Sequence, residues 1–224
     1  MSDFHQSNRI VSEKYRSELL GHLARLVRPE DFSDSKTTDL QKFYLDFKNR
    51  TVPLVNTEIQ RLKDSLAHTG NSHLLLLNIT ALVDTVLQAA FNAAVWLHNH
   101  TQQKKLLPKN IPIAIIARGG YGREEKYFQS NVDVQIVSKP ALTKDQAEEV
   151  EQIVKHLEYL FIHQNIFQTP TSACCTKNDS LEKELSAGQL TDLFSLLEGR
   201  LVVGNSTVYS EFMGMVKTTA QLQK

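Results

Sequence analysis

Residues 113–137, IAIIARGGYGREEKYFQSNVDVQIV, constrain the fold more than any other stretch of the chain. An apolar run stops at Gly119 and Gly120, a polar segment with Arg123 follows, and apolar alternation resumes at Val132. The two runs predict a strand over 111–117 and a second over 132–137. In the second, Val132, Val134 and Ile136 face one way and Asp133, Gln135 and Val137 the other. A strand–turn–strand unit of this kind returns an acidic side chain toward the glycine turn. Gly119 and Gly120 permit positive φ and close approach of the backbone. A helical turn over 122–126 would leave free N–H groups for an anion, with Arg123 as a charge-assisted donor and Ser130 beside the same group. Asn131 and Asp133 stand two residues apart, on one side of the strand. A pair of carboxylates there would hold one or two Mg2+ ions; Asn131 puts a neutral, weaker oxygen in one of the two places. Each piece alone also has a plainer reading: a tight turn, an edge charge, a solvated run of Arg123, Glu124 and Glu125. Their combination in one unit carries the functional one.

Lys plus Arg and Asp plus Glu both number 25 in the 224 residues, so no net field draws the chain to nucleic acid or to an anionic membrane. Residues 1–20 lack a basic segment followed by an apolar block. The stretch 74–77 is short, and 81–97 is interrupted by Asp84, Gln88 and Asn92, so neither reads as a membrane span. Cys174 and Cys175 are adjacent, which suits reduced thiols better than an intrachain disulfide. The expectation is a cytoplasmic protein with neither a membrane nor a nucleic acid as partner.

Helical spacing surrounds the strand unit. Before it, Tyr15, Leu19, Leu23, Leu26 and Val27 share a face that Pro29 ends. Leu40, Phe43, Tyr44 and Phe47 form a second stripe, and Leu54, Val55, Ile59, Leu62 and Leu66 a third that stops near Gly70. Residues 78–98 predict the strongest helix. After the unit, Thr143 opens a helix with Gln146 at capping-box spacing. Residues 165–175 read as a third strand, which Pro170 puts at an edge or bulge. Leu190, Leu193, Phe194, Leu197 and Leu201 read as a helical stripe ended by Gly204, and Val208, Phe212, Met215 and Val216 as another. His98 and His100, at a helix end, read as surface residues rather than a metal pair. The fold class is α+β. A helical region spans 1–76, an α/β core with a small mixed sheet flanked by helices spans 77–185, and C-terminal helices pack on that core over 186–224. The chain also reads as the front part of a longer protein.

The run GGYGREEKYFQSNVD resembles the signature of the nucleotidyltransferase domain of the protein-PII uridylyltransferase (GlnD-like) family, within the DNA polymerase beta-like superfamily. That pattern is roughly Gly-Gly-Tyr-Gly-Arg-x-Glu-Leu-x-Pro-x-Ser-Asp-x-Asp. Gly119, Gly120, Tyr121, Gly122, Arg123, Glu125, Ser130 and Asp133 match it by position. Leu196, Leu197, Arg200, Leu201 and Gly204 similarly follow the family's later Leu-Leu-x-x-Arg-Leu-x-x-Gly run. The likeness covers about residues 82–216. It implies the nucleotidyltransferase fold and transfer of a nucleoside monophosphate, UMP in the nearest case, from a nucleoside triphosphate to a small regulatory protein with Mg2+. Gly119, Gly120, Arg123 and Ser130 would cradle the phosphates, Asp133 would hold Mg2+, and Asn131 would occupy a metal position at reduced strength.

Lys126 and Phe128 replace an apolar residue and a proline of that pattern, and Asn131 replaces its first metal-binding Asp. Residues 167–175 contain no Asp or Glu to act as a third carboxylate, and Asp179 and Glu182 lie beyond them. Mg2+ binding is therefore expected to be weak or lost. Two functions stay open: a nucleotidyltransferase, or a catalytically weakened domain that binds nucleotide or a protein partner as a regulatory module.

Overall fold

The computed structural model describes residues 3–26, 39–164, 166–167, 171–176 and 190–222. The helix stop at Val27 and Pro29, the signal at Pro170, and Asp179 and Glu182 lie outside these residues, as do the thiols of Cys174 and Cys175.

The sheet begins with β1 (Ile113–Ala117) and β2 (Val132–Ser138), which pair antiparallel with Ile115 opposite Ile136. Between them lies α4, a single helical turn over Gly119–Gly122. β3 (Thr171–Thr176) joins β2 in parallel, so that Asp133 stands opposite Ser172. β4 (Arg200–Gly204) joins the other side of β1 antiparallel, giving the order β3-β2-β1-β4. The architecture is thus α+β with a small mixed sheet, and the third strand takes an edge as expected. A parallel pair needs a crossover, and the chain between β2 and β3 contains α5 (Lys144–Leu157), followed by a π-helical turn at Glu158–Ile162. Thr143 and Gln146 form the reciprocal capping box that their spacing predicts.

β1 is buried along its whole length, and its alternation divides the interior in two. Ile113, Ile115 and Ala117 belong to a core shared with α1 (Asp3–Leu26), α2 (Leu40–Thr69), α3 (Ser72–Gln102) and α5. Ala114 and Ile116 belong to a second core with α6 (Leu190–Leu197) and α7 (Ser206–Leu222). Helix α3 supplies more of the first core than any other element, from Leu82 to Leu97, as the expected apolar face of 78–98 requires. It is long and apolar enough to cross a membrane, but most of that window is buried inside the protein.

Three expectations are corrected. The stripes over 40–47 and 54–66 lie on one helix, α2, where Phe43, Phe47, Thr51, Leu54, Val55 and Leu62 are buried in succession. An interior proline costs about 3 kcal/mol or more, yet the helix runs through Pro53 because the same side stays buried on both sides of it. Second, the stripe expected to stay helical through Leu201 stops at Leu197, and residues 200–204 become a sheet strand. Gly204 is therefore not a helix terminator. Its φ is +108°, and a Cβ there would lie 2.5 Å from the carbonyl oxygen of Ile113, so only glycine permits β4 to approach β1 so closely. Third, His98 is 3% exposed rather than at the surface, since α3 continues to Gln102 and α5 packs on it.

His156 of α5 is buried too, its Nδ1 lying 2.7 Å from the Tyr44 hydroxyl. Burial, with His98 and Lys155 adding to it, lowers its pKa from 6.5 to about 4. In that interval the unfolded chain binds the extra proton, so the fold loses stability as pH falls from 6.5 toward 4. His156→Gln should flatten this part of a plot of urea midpoint against pH. An unchanged slope would assign the acid sensitivity to other groups.

Candidate functional site

Arg118 leaves β1 in extended conformation, its N–H donating to the carbonyl of Asp133 at 3.0 Å. Gly119 then takes φ +53°, and the helical turn closes with Gly122 N–H donating to Arg118 O at 2.9 Å and Arg123 N–H to Gly119 O at 3.0 Å. The turn begins three residues before the expected 122–126, because Gly119 supplies the left-handed step that reverses the chain. Amides at the start of such a turn, here residues 119–121, are the ones its geometry leaves for an outside acceptor. A Cβ on Gly119 would sit 3.6 Å from Ser195 Oγ and 4.0 Å from Asp133 Oδ2. Three elements therefore meet at one point: α4 with bare backbone, β2 with a carboxylate, α6 with a hydroxyl.

The other expected residues are employed differently. The exposed Arg123 guanidinium donates to Glu125 at 2.7 Å and to Glu198 at 2.5 Å. Gly120 lies beside that side chain, a Cβ on it falling 3.8 Å from Nη2. Ser130 Oγ accepts from Tyr127 N–H at 2.9 Å and donates to Tyr127 O at 3.0 Å, closing its own short turn. Asn131 is exposed immediately before β2. Gly119 and Asp133 come together; Arg123 and Ser130 have local partners.

As a Mg2+ site the donor set is poor. Asp133 offers a carboxylate and Asn131 a carboxamide, while β3, the strand beside Asp133, has the acid-free sequence TSACCT. Among the described residues no three His, Cys, Asp or Glu side chains group together. Mg2+ wants near-octahedral oxygen ligation, with one or two carboxylates assisted by phosphate. These residues do not fit a catalytic pair of metal ions.

Four residues important to the site were not legible as such. Asp84 interrupts the apolar face of α3 and is 4% exposed. Its Oδ1 accepts from the Tyr121 hydroxyl at 2.6 Å and from Arg200 Nη2 at 3.0 Å; its Oδ2 accepts from Arg200 Nη1 at 2.8 Å and lies 2.9 Å from Arg16 Nη1. Burial first, and Asp84 second, raise the pKa of Tyr121 well above 10, which keeps its hydroxyl a donor. A lone acid in an apolar helix does carry a signal: it must find cations once buried. Lys126 is 2% exposed, with Nζ donating to the carbonyls of Tyr127 at 2.6 Å and Ser130 at 2.5 Å. Burial lowers its pKa to about 8 against the opposing pull of Asp133. Phe128 packs against the cluster of Leu62, Leu75 and Ile79. Ser195, on α6, is the fourth. The two departures at 126 and 128 therefore tie the loop to itself and to α2 and α3. No protein-family model matches the chain.

Asp84→Ala strands two guanidiniums and should lower the unfolding free energy by about 3–5 kcal/mol, whereas Tyr121→Phe should cost about 1.5–3 kcal/mol. Urea unfolding of both variants checks this, and equal small losses would show that solvent screens the cluster. For Lys126, the unfolded side chain keeps its proton up to about pH 10.5 and the folded one up to about pH 8, so stability should rise across that window. Lys126→Met should remove the rise; its persistence would show that Lys126 titrates normally in the fold.

Proposed function

We propose that the chain is a nucleotidyltransferase-type domain that binds the phosphates of a nucleoside triphosphate at the glycine turn and has lost most of its transfer activity, serving as a cytoplasmic, nucleotide-responsive regulatory module. The observation that carries this reading is the Asp133 carboxylate beside Gly119, with a carboxamide two residues before it and Ser172 opposite it in β3. The bare turn supports phosphate binding, since backbone amides reach an anion without a side chain intervening. The depleted acids argue against fast chemistry, because phosphoryl-type transfer depends on positioning and on neutralising charge. The finer fold assignment is supported by the antiparallel pair around the turn and by helices on both faces of the sheet.

In this reading Gly119 and Gly120 expose the backbone, Asp133 and Asn131 face the phosphate end, and Arg123 reaches it only by exchanging its bonds to Glu125 and Glu198. Ser130 holds the loop rather than the ligand. An active uridylyl-type transferase acting on a small regulatory protein is the second reading, favoured by the Asp133 carboxylate kept beside the Gly119 turn.

Calorimetric titration with each of the four nucleoside triphosphates, with and without Mg2+, followed by an assay for pyrophosphate release, separates the two. We expect binding with little dependence on Mg2+ and release at background. Asn131→Asp should tighten Mg2+ binding, and Asp133→Asn should abolish whatever Mg2+ dependence exists. Vigorous transfer that survives Asp133→Asn would sink the assignment of Asp133, and absence of triphosphate binding would sink the phosphate site.

A further inference from the structure

An open cavity of about 560 Å3 lies between α1, α2 and α3, and its described lining comes from these three helices alone. Small-molecule sites usually span about 300–1,000 Å3. Asn78 of α3 lines this one and is only 9% exposed, yet its Oδ1 has no hydrogen-bond partner among the described residues. Buried polar atoms are nearly always paired, so this oxygen calls for a donor that enters the cavity.

The other polar groups select the ligand chemistry. The Tyr15 hydroxyl donates to Glu58 Oε2 at 3.1 Å, and Arg61 Nε donates to the same oxygen at 2.9 Å. The Arg61 guanidinium lies 4.8 Å from the centroid of the Tyr15 ring, which completes a preformed wall. Lys14 and Glu18, one turn apart on α1, stand 3.9 Å from each other, too far for a direct hydrogen bond. Apart from the exposed His22, the charges of the lining balance, Lys14 and Arg61 against Glu18 and Glu58. Each already faces one of opposite sign, so a charged ligand gains a partner only by displacing another. A hydroxyl displaces nothing. It donates to a carboxylate and accepts from an ammonium through one atom, and both bonds are charge-assisted. Val11, Leu19 and Leu74 add apolar surface for the C–H face of such a molecule.

We propose that this cavity binds a small neutral polyol, a monosaccharide or a cyclitol, whose hydroxyls donate to Asn78 Oδ1 and bridge Lys14 to Glu18. The site is independent of the phosphate reading of the glycine turn. Nuclear magnetic resonance of the isotope-labelled full chain tests it, with glucose, ribose and myo-inositol as probes and serine and putrescine as charged controls at equal concentration. At least one polyol should move the Asn78 NH2 signals and the amides of α1, and neither control should. Asn78→Leu and Glu18→Ala should each raise the Kd of that polyol about fivefold or more, the loss of one hydrogen bond. Glu18 is exposed, so its variant keeps the fold and carries the test should Asn78→Leu unfold. Serine or putrescine moving the signals as much as the polyols overturns the neutral chemistry. Polyol binding that is unchanged in the folded variants overturns the assignment to this cavity. Signals unmoved by every probe leave Asn78 to water and overturn the site.

Discussion

A buried carboxylate on the central helix holds the rest together. Asp84 is surrounded by Arg16 of α1, Arg200 of β4 and Tyr121 of the glycine turn, so four elements converge on one charge. Removing a carboxylate from water is costly, and two guanidiniums with a hydroxyl offset that cost only if all arrive in register. Such a cluster adds little net stability over an apolar substitute, but any arrangement that displaces one member leaves charge buried without a partner. Helix α1 shows the consequence. It leaves Ile10 and Val11 exposed and buries few apolar side chains, Leu19 and Leu23 among them, so Arg16 has a large share in setting where it docks.

The glycine turn inherits its position from this cluster. Tyr121 points inward to Asp84, which turns the bare backbone of Gly119 toward Asp133 and Ser195. The turn lies where β1 ends and β2 begins, at the rim of the sheet, while β1 itself is buried on both faces. A rigid, fully covered strand thus carries a loop that can afford to expose its amides.

Departures from the nucleotidyltransferase pattern have different physical consequences. Asn131 puts a neutral carboxamide where that pattern has a carboxylate, two residues before Asp133. Lys126 and Phe128, by contrast, add anchors: one ties two carbonyls of the loop together, the other inserts the loop into the helical layer. A loop fixed in this way suits recognition of a ligand better than the closure and release that turnover requires.

Local chemistry made much of this legible. The alternation of Val132, Val134 and Ile136, the capping pair Thr143 and Gln146, and the glycines at 119 and 120 each act within a few residues, and the strand, the capping box and the helical turn expected from them reappear in the structure, the turn shifted by three residues and its left-handed step confined to Gly119. The continuity of α2 through Pro53 was not legible, because burial of its flanking face decides it. Nor was β4, since residues 200–204 have a helical apolar spacing and become a strand only where β1 offers an unpaired edge and Gly204 lets it approach. The burial of His98 depends on α5 lying across α3. Asp84 is the clearest case. Its sequence position says that a charge interrupts an apolar helix, and desolvation says that it needs cations. Arg200, 116 residues away, answers that need only after the sheet and helices have assembled. Periodicity and turn chemistry are properties of neighbours along the chain and are written there; partners for a buried charge are properties of neighbours in space, and only the tertiary structure decided them.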